Sequence, residues 1–280
     1  MSSVDATIPA RPARPARPQI TLEVLRREQL SPHLVRIVAG GEQFDRFETN
    51  DTTDKYVKIF FAKPELGLTP PYDVAALRET LDPADLPVTR TYTIRAVDPV
   101  LRTLSIDFVV HGDEGLAGPW ADAARPGDTL TFAGPGGGYR PDADADWHLF
   151  AVDQSALPAT AAALEALPPT ARGLGIVQVP DASEELPLEA PSGVAIRWVH
   201  GTEPSLLVDA VAAVPWLDGR PQIFAHGERE AMKGLRNLFR ERGVQRGELS
   251  LSGYWAVGRT EDRFQAEKRE PIGVIAPVSD

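Results

Sequence analysis

Apolar and polar residues alternate with a period of two from Ile20 to about Pro135. The apolar positions run Ile20-Leu22-Val24, Val35-Ile37, Val57-Ile59-Phe61, Tyr92-Ile94-Ala96, Leu104-Ile106-Phe108-Val110 and Leu130-Phe132, parted by turn-rich pieces. Such alternation turns one face of a strand to a core and the other to water, so six strands are predicted. Together they predict a six-stranded antiparallel Greek-key barrel. The proline- and glycine-rich stretch from Lys63 to Val88 is too long for a tight hairpin and predicts an excursion over one rim.

After Asp146 the pattern changes. Trp147 to Val152, Gly175 to Val179, Val194 to Val199, Ile223 to Ala225 and Leu249 to Leu251 are short apolar runs that predict buried strands. Between them Ser155 to Leu167, with Pro158 in its first turn, reads as a helix. So does Ser205 to Val214, with Leu206, Leu207, Ala210, Val211 and Val214 on one stripe, and Glu228 to Arg242, with Met232, Leu235, Leu238 and Phe239. Strand and helix alternating in this way predict a mostly parallel, five-stranded α/β sandwich. The expected organisation is a Pro/Ala/Arg arm over 1–19, unordered for want of an apolar face, then the barrel over 20–140 and the α/β domain over 141–252. A C-terminal segment over 253–280 returns to the barrel. Gly136-Gly137-Gly138 falls at the junction and reads as a hinge.

Composition narrows the chemistry. The 280 residues include no cysteine, which excludes disulfides, thiolate metal sites and thiol nucleophiles, so redox chemistry would need a bound cofactor. His33, His111, His148, His200 and His226 show no ligand spacing, and no metal site is expected. A net charge of -11 argues against nucleic acid as a partner. No apolar run is long enough to insert in a membrane, and a cytoplasmic monomer is expected.

Within the barrel, Arg90-Thr91-Tyr92-Thr93-Ile94-Arg95 places Arg90, Tyr92 and Ile94 on one strand face and Thr91, Thr93 and Arg95 on the other. A flavin needs a cation for its phosphates, an aromatic surface for its ring and a hydroxyl donor near N5, and this strand offers all three. Spacing alone fits equally the plain polar face of a barrel strand. A second segment, Asp107-Phe108-Val109-Val110-His111-Gly112, ends a strand and leads through Gly115-Leu116-Ala117-Gly118 into a short helix near Pro119. Such a turn presents free N–H groups suited to a diphosphate.

In order and spacing, these segments resemble the siderophore-interacting proteins, or ferric-siderophore reductases. The resemblance continues through Trp120 to Asp128, Ala133-Gly134-Pro135, Ala156-Leu157-Pro158-Ala159, Gly227-Glu228, Leu235-Arg236 and Ser252-Gly253-Tyr254-Trp255 with Gly258-Arg259. It implies an FAD-binding barrel and a nicotinamide-binding domain in a ferredoxin-reductase-like arrangement. By position, Arg90, Thr91, Tyr92 and Thr93 would hold the flavin, with Thr93 near N5. Asp107, Phe108, Val109 and His111 would line the ribityl chain and ring edge, and Gly115, Ala117, Gly118 and Trp120 the diphosphate and adenine side. Asp153, Gln154, Ser155, Ala156, Gly227 and Glu228 would face the nicotinamide nucleotide, with Trp255 near the exposed flavin face.

The chain also departs from the family pattern. Val152 stands where a glycine is usual, and Ala256 where an arginine is usual after Tyr-Trp. The implied reaction takes hydride from NADH or NADPH and passes electrons to a ferric siderophore, releasing Fe(II). Arg259 and Lys268 are the expected contacts to an anionic chelate, although they lie among acidic residues that could equally make a solvated surface. Asp181, Glu184 and Glu185, after the second strand of the α/β domain, could bond a ribose diol and so favour NADH. Two alternatives stand beside this reading. One is a flavin-dependent reductase with another electron acceptor, and the other a siderophore- or flavin-binding protein with little turnover.

Overall fold

The computed structural model describes residues 17–110 and 115–278. His111 and residues 1–16 of the expected arm lie outside the described residues.

All six expected barrel strands are present: β1 (Gln19–Ser31), β2 (Leu34–Gly40), β3 (Tyr56–Phe61), β4 (Val88–Asp98), β5 (Thr103–Val109) and β6 (Thr129–Gly136). They close in the order β1-β2-β5-β4-β3-β6, every neighbour antiparallel, which is the Greek-key path. The period of two explains the closure. Ile20, Leu22, Val24, Ile37, Val57, Ile59, Ile94, Ile106 and Phe132 all point inward and are buried. The excursion between β3 and β4 carries a short helix, α1 (Val74–Leu77), capped by Asp73, between 3₁₀ turns at Pro64–Leu66 and Pro83–Asp85. A second short helix, α2 (Ala117–Ala123), follows β5.

The second half is a five-stranded sheet in the order β11-β10-β7-β8-β9, and all its pairs are parallel. Its strands are β7 (Trp147–Asp153), β8 (Arg172–Val179), β9 (Gly193–His200), β10 (Pro221–Glu228) and β11 (Leu249–Trp255). One face packs on α4 (Pro204–Ala212) and α5 (Arg229–Glu241) through Leu149, Ile223, Leu207, Met232 and Phe239. The other packs on α3 (Leu157–Glu165) through Phe150, Val152, Val177, Leu157 and Leu164. A last helix, α6 (Glu261–Glu267), follows β11. The helix expected from Ser155 is a 3₁₀ turn at Gln154–Ala156 that runs into α3.

The junction corrects one expectation. Gly137 and Gly138 are held against the turn before β3: the amides of Gly138 and Tyr139 both donate to Asp54 Oδ1 at 2.8 Å. A Cβ on Gly137 would stand 1.9 Å from Thr52 Oγ1, so glycine serves close packing here and not a hinge. Further ties cross between the halves. Arg95 of β4 pairs with Glu165 of α3, and the fully buried Glu184 accepts from Ser31 Oγ at 2.5 Å and Gln154 Nε2 at 2.6 Å.

Candidate active site

The site lies where β4 of the barrel meets the carboxyl ends of β7, β10 and β11. In the sheet order, the chain runs outward from β7 to β8 and β9 and then returns to β10 on its other side. The crevice between β7 and β10 is therefore the switch point, where parallel sheets leave room for a ligand.

On the barrel side, strand alternation decides what each residue does. Tyr92 lies over Phe108, their ring centroids 4.3 Å apart, and burial pushes its hydroxyl pKa up. Phe108 is wholly core, and Trp120 packs edge-on against Phe61 and tilted against Phe108. Thr93 is buried on the opposite strand face, while Thr91 is exposed. Arg90 has only 14% of its side chain exposed, and its guanidinium fork grips both oxygens of Asp262 in α6, at 2.9 and 3.0 Å. That pairing tests the fit of a flavin nucleotide. A two-oxygen anion already sits in the fork, on an aspartate side chain that is 69% exposed. A diphosphate oxygen pair meets the same donors, and the aspartate is free to turn into solvent.

Asp107 does not open toward this site. Its carboxylate is buried and takes a two-point bond from Arg36 of β2, at 2.6 and 2.8 Å. Val109 is half-buried in the ladder with Leu34, and Ala117 packs into the barrel core. Gly118 approaches β5 closely, since a Cβ there would be 3.3 Å from the Val109 carbonyl oxygen. Gly115 has open space around it.

On the sheet side, Asp153 ends β7 and collects four donors. Ser155 N and Ser155 Oγ donate to Oδ1 at 2.9 and 2.5 Å. Glu228 N and Trp255 Nε1 donate to Oδ2 at 2.7 and 2.8 Å. Burial pushes the Asp153 pKa up, and these hydrogen bonds oppose the shift. Gly227 is needed beside it: its φ is +153°, and a Cβ would come within 2.5 Å of Asp153 Oδ2. Glu228 caps α5, accepting from Ala231 N at 3.0 Å, and its other oxygen receives Val257 N at 3.2 Å. One carboxylate thus ties together the ends of β7, β10 and β11, and leaves Trp255 40% exposed at the crevice.

Other expected residues turn elsewhere. Gln154 points its amide at Glu184, and Ala156 is buried in the core. The three carboxylates that suggested a ribose contact are committed to structure: Glu184 to the tie between the halves, Asp181 to Ser183, and Glu185 to His200 at 2.8 Å. Val152 is wholly buried against α3, on the same sheet face as His226 and Tyr254. Ala256 is likewise buried.

The C-terminal cations form a built cluster. Glu267, 1% exposed, accepts from Arg229 Nη1 at 2.5 Å, Arg259 Nε at 2.7 Å and Arg263 Nε at 2.8 Å. Arg229, then Arg259 and Arg263, hold its pKa down at about 2. A depressed carboxylate stabilises the fold above its ordinary pKa of 4.5, and that contribution disappears as pH falls toward 2. Glu267→Gln is expected to flatten the dependence of melting temperature on pH across that window, measured by thermal melts at stepped pH. Arg259 is therefore tied to Glu267, although the residue stays exposed. Lys268 stays exposed, its ammonium 4.6 Å from the centre of the Phe264 ring. Among the described residues no cluster of three or more His, Cys, Asp or Glu could hold a metal ion.

Tyr254, His226 and Asp262 had no sequence signal as individual site residues beyond Tyr254's place in Gly-Tyr-Trp. Asp262 lies 172 positions from the arginine it grips.

A closed Greek-key barrel set against the carboxyl edge of a parallel sheet is the ferredoxin-reductase-like arrangement. A ferredoxin-NADP+ reductase from Plasmodium falciparum has this fold at a TM-score of 0.62, over 84% of this chain and 96% of that one, with 12% identity. The chain matches the siderophore-interacting FAD-binding domain family over residues 23–139 and the siderophore-interacting protein family over residues 145–258, and it belongs to the siderophore-interacting proteins. It is thus a flavoprotein oxidoreductase by family, with FAD as its cofactor. An uncharacterized protein of Mycobacterium tuberculosis is 44% identical over 271 residues, 89% of this chain and 94% of that one. The ferric vibriobactin reductase of Vibrio cholerae is 30% identical over 88% of this chain and 93% of its own. An NADPH-dependent ferric-chelate reductase of Escherichia coli is 33% identical over 84% and 91%. A siderophore utilization protein from T. fusca superposes at a TM-score of 0.75, with 35% identity over 87% of this chain and 94% of that one. No described helix is long and apolar enough to cross a membrane.

Proposed function

We propose that this protein reduces ferric siderophores with electrons from NADH or NADPH, releasing iron as Fe(II). The observation that carries this reading is that Tyr254 of β11 neighbours Thr93 of the barrel while the next residue, Trp255, donates to Asp153 at the switch point of the sheet. Arg90 would hold the FAD diphosphate, Tyr92 would back the ring, and the Thr93 hydroxyl would face N5. Bound FAD supplies the chemistry that links a two-electron hydride donor to one-electron acceptors.

The chain's own residues do the positioning. Asp153 fixes the ends of three strands, so the nicotinamide meets a rigid floor, and Trp255 covers the opening until the dinucleotide enters. The protein need not ligate the metal: iron in an anionic chelate is substrate. Ferrous iron, softer and less charged, leaves a hard-oxygen chelate more readily. The names of the Vibrio cholerae and Escherichia coli relatives support this substrate class.

Lys268 is an exposed cation just after α6, with Lys58 of β3 nearby, and would contact the chelate. Lys268→Ala is expected to raise KM for an anionic ferric chelate by about 2- to 5-fold, the size of an exposed charge contact. FAD content should not change. Steady-state kinetics with an anionic and a neutral chelate tests this, and equal KM changes for both would remove Lys268 from the substrate site. Arg259, bound to Glu267, shapes the entrance by holding α6.

A further inference from the structure

His226 on β10 is a buried polar residue that the reading above leaves without a task. It is 3% exposed, and its ring lies on Phe224 with centroids 3.8 Å apart. Burial holds its pKa down at about 3, with no charged neighbour contributing, so the imidazole is neutral. A neutral imidazole has one N–H donor and one bare acceptor nitrogen. Both nitrogens meet hydroxyls: Nδ1 is 2.8 Å from Tyr254 Oη and Nε2 is 2.9 Å from Ser250 Oγ.

That choice of partners matters. A carbonyl or an amide at either nitrogen would fix the tautomer, whereas a hydroxyl can donate or accept. The side chain of Tyr254 also neighbours that of Thr93 on β4, across the junction between the halves. A line Thr93, Tyr254, His226, Ser250 therefore runs from the candidate flavin contact to β11, the edge strand of the sheet, where Ser250 is half-buried.

We propose that this line sets the direction of the Thr93 hydroxyl, with His226 as a positioning residue that takes one tautomer when Thr93 faces an acceptor and the other when it faces a donor. The inference rests on FAD lying with N5 against Thr93. Oxidised N5 is a bare acceptor and reduced N5 carries hydrogen. In the first case His226 Nδ1–H donates to Tyr254, Tyr254 to Thr93, and Thr93 to N5, while Ser250 donates to Nε2. In the second Thr93 accepts from N5 and donates to Tyr254, Tyr254 donates to Nδ1, and Nε2–H donates to Ser250. Each arrangement has one proton on every hydroxyl and one on the imidazole, so no net charge enters the buried site. Each state of N5 thus finds every neighbour satisfied, and neither leaves an orphaned polar group.

The test is ¹⁵N NMR of the full-length, FAD-loaded protein with labelled histidine, recorded oxidised and after anaerobic reduction with dithionite. His226→Asn assigns the signal. The expected result is that the protonated nitrogen changes from Nδ1 to Nε2 on reduction, and that Tyr254→Phe abolishes the change and shifts the flavin midpoint potential. The same tautomer in both states overturns the relay. Thr93→Val separates that failure from failure of the flavin placement. If it leaves the flavin spectrum and potential unaltered, the placement is wrong and the relay falls with it. If it shifts them while His226 keeps one tautomer throughout, the relay alone is wrong.

Discussion

Replacing Arg90 with alanine is expected to weaken FAD binding by about 10- to 100-fold. A charge-assisted, two-point bond to phosphate is worth about 1.5–3 kcal/mol, and each 1.4 kcal/mol is a factor of ten. Arg90 is held in a geometry suited to such a contact, with little of its side chain exposed and Nη1 also donating to the Thr89 carbonyl at 3.0 Å. Asp262 competes for the same fork, so Asp262→Asn is expected to act in the opposite direction and tighten FAD binding by a few-fold, the scale of an exposed ion pair. Opposite signs at the two ends of one ion pair would separate electrostatics from damage to the fold. Titration of apoprotein with FAD, followed by flavin fluorescence, reads both.

The second large effect is at Asp153. Asp153→Ala removes the acceptor for Glu228 N, Trp255 Nε1 and the two Ser155 donors, leaving the buried Glu228 amide without its partner. The expected loss is about 2–4 kcal/mol, since each orphaned buried polar group costs about 1–3 kcal/mol and water can reach the Trp255 side. Urea denaturation measures it. Reduction of the bound flavin by nicotinamide should slow as well, because Trp255 loses its anchor. Gly227→Ala is expected to act in the same direction, by driving a methyl group into the same carboxylate. The two acids also differ in their response to pH. The Asp153 pKa is raised by burial, so its contribution is fully present below the ordinary value of 3.8 and is lost as pH rises through the folded value. Glu267 behaves in the reverse way.

The fold was legible because each half announces its own period. The Ile20, Ile59 and Phe132 type of alternation can only be half-buried strand, and the apolar runs at Trp147 and Ile223 needed helices on both sides. Arg90 and Thr93 were singled out only through the family resemblance, since alternation within one strand fits a plain polar face as well. What escaped the sequence depends on where distant segments land. Asp262 neutralises Arg90 only because α6 crosses the barrel. Glu184 looked like a ribose contact, but the 3₁₀ turn that carries it points it back at Ser31 and Gln154. Charge interleaving near the C-terminus hid Glu267 among three arginines, since a buried hub and a solvated surface have the same composition. Val152 drew suspicion by its type, yet strand parity buries it under α3 and leaves the close approach to Gly227.

The central claim is that electrons pass from nicotinamide through FAD at the Thr93 crevice to ferric chelate. Anaerobic stopped-flow spectroscopy of the FAD-loaded protein tests it most directly. Mixing with NADPH or NADH should bleach the flavin band, and subsequent ferric siderophore should restore it, with two Fe(II) trapped by a ferrous chelator for each flavin reoxidised. A flavin band that neither nicotinamide bleaches, or one that bleaches and is not restored by any ferric chelate, would contradict the account.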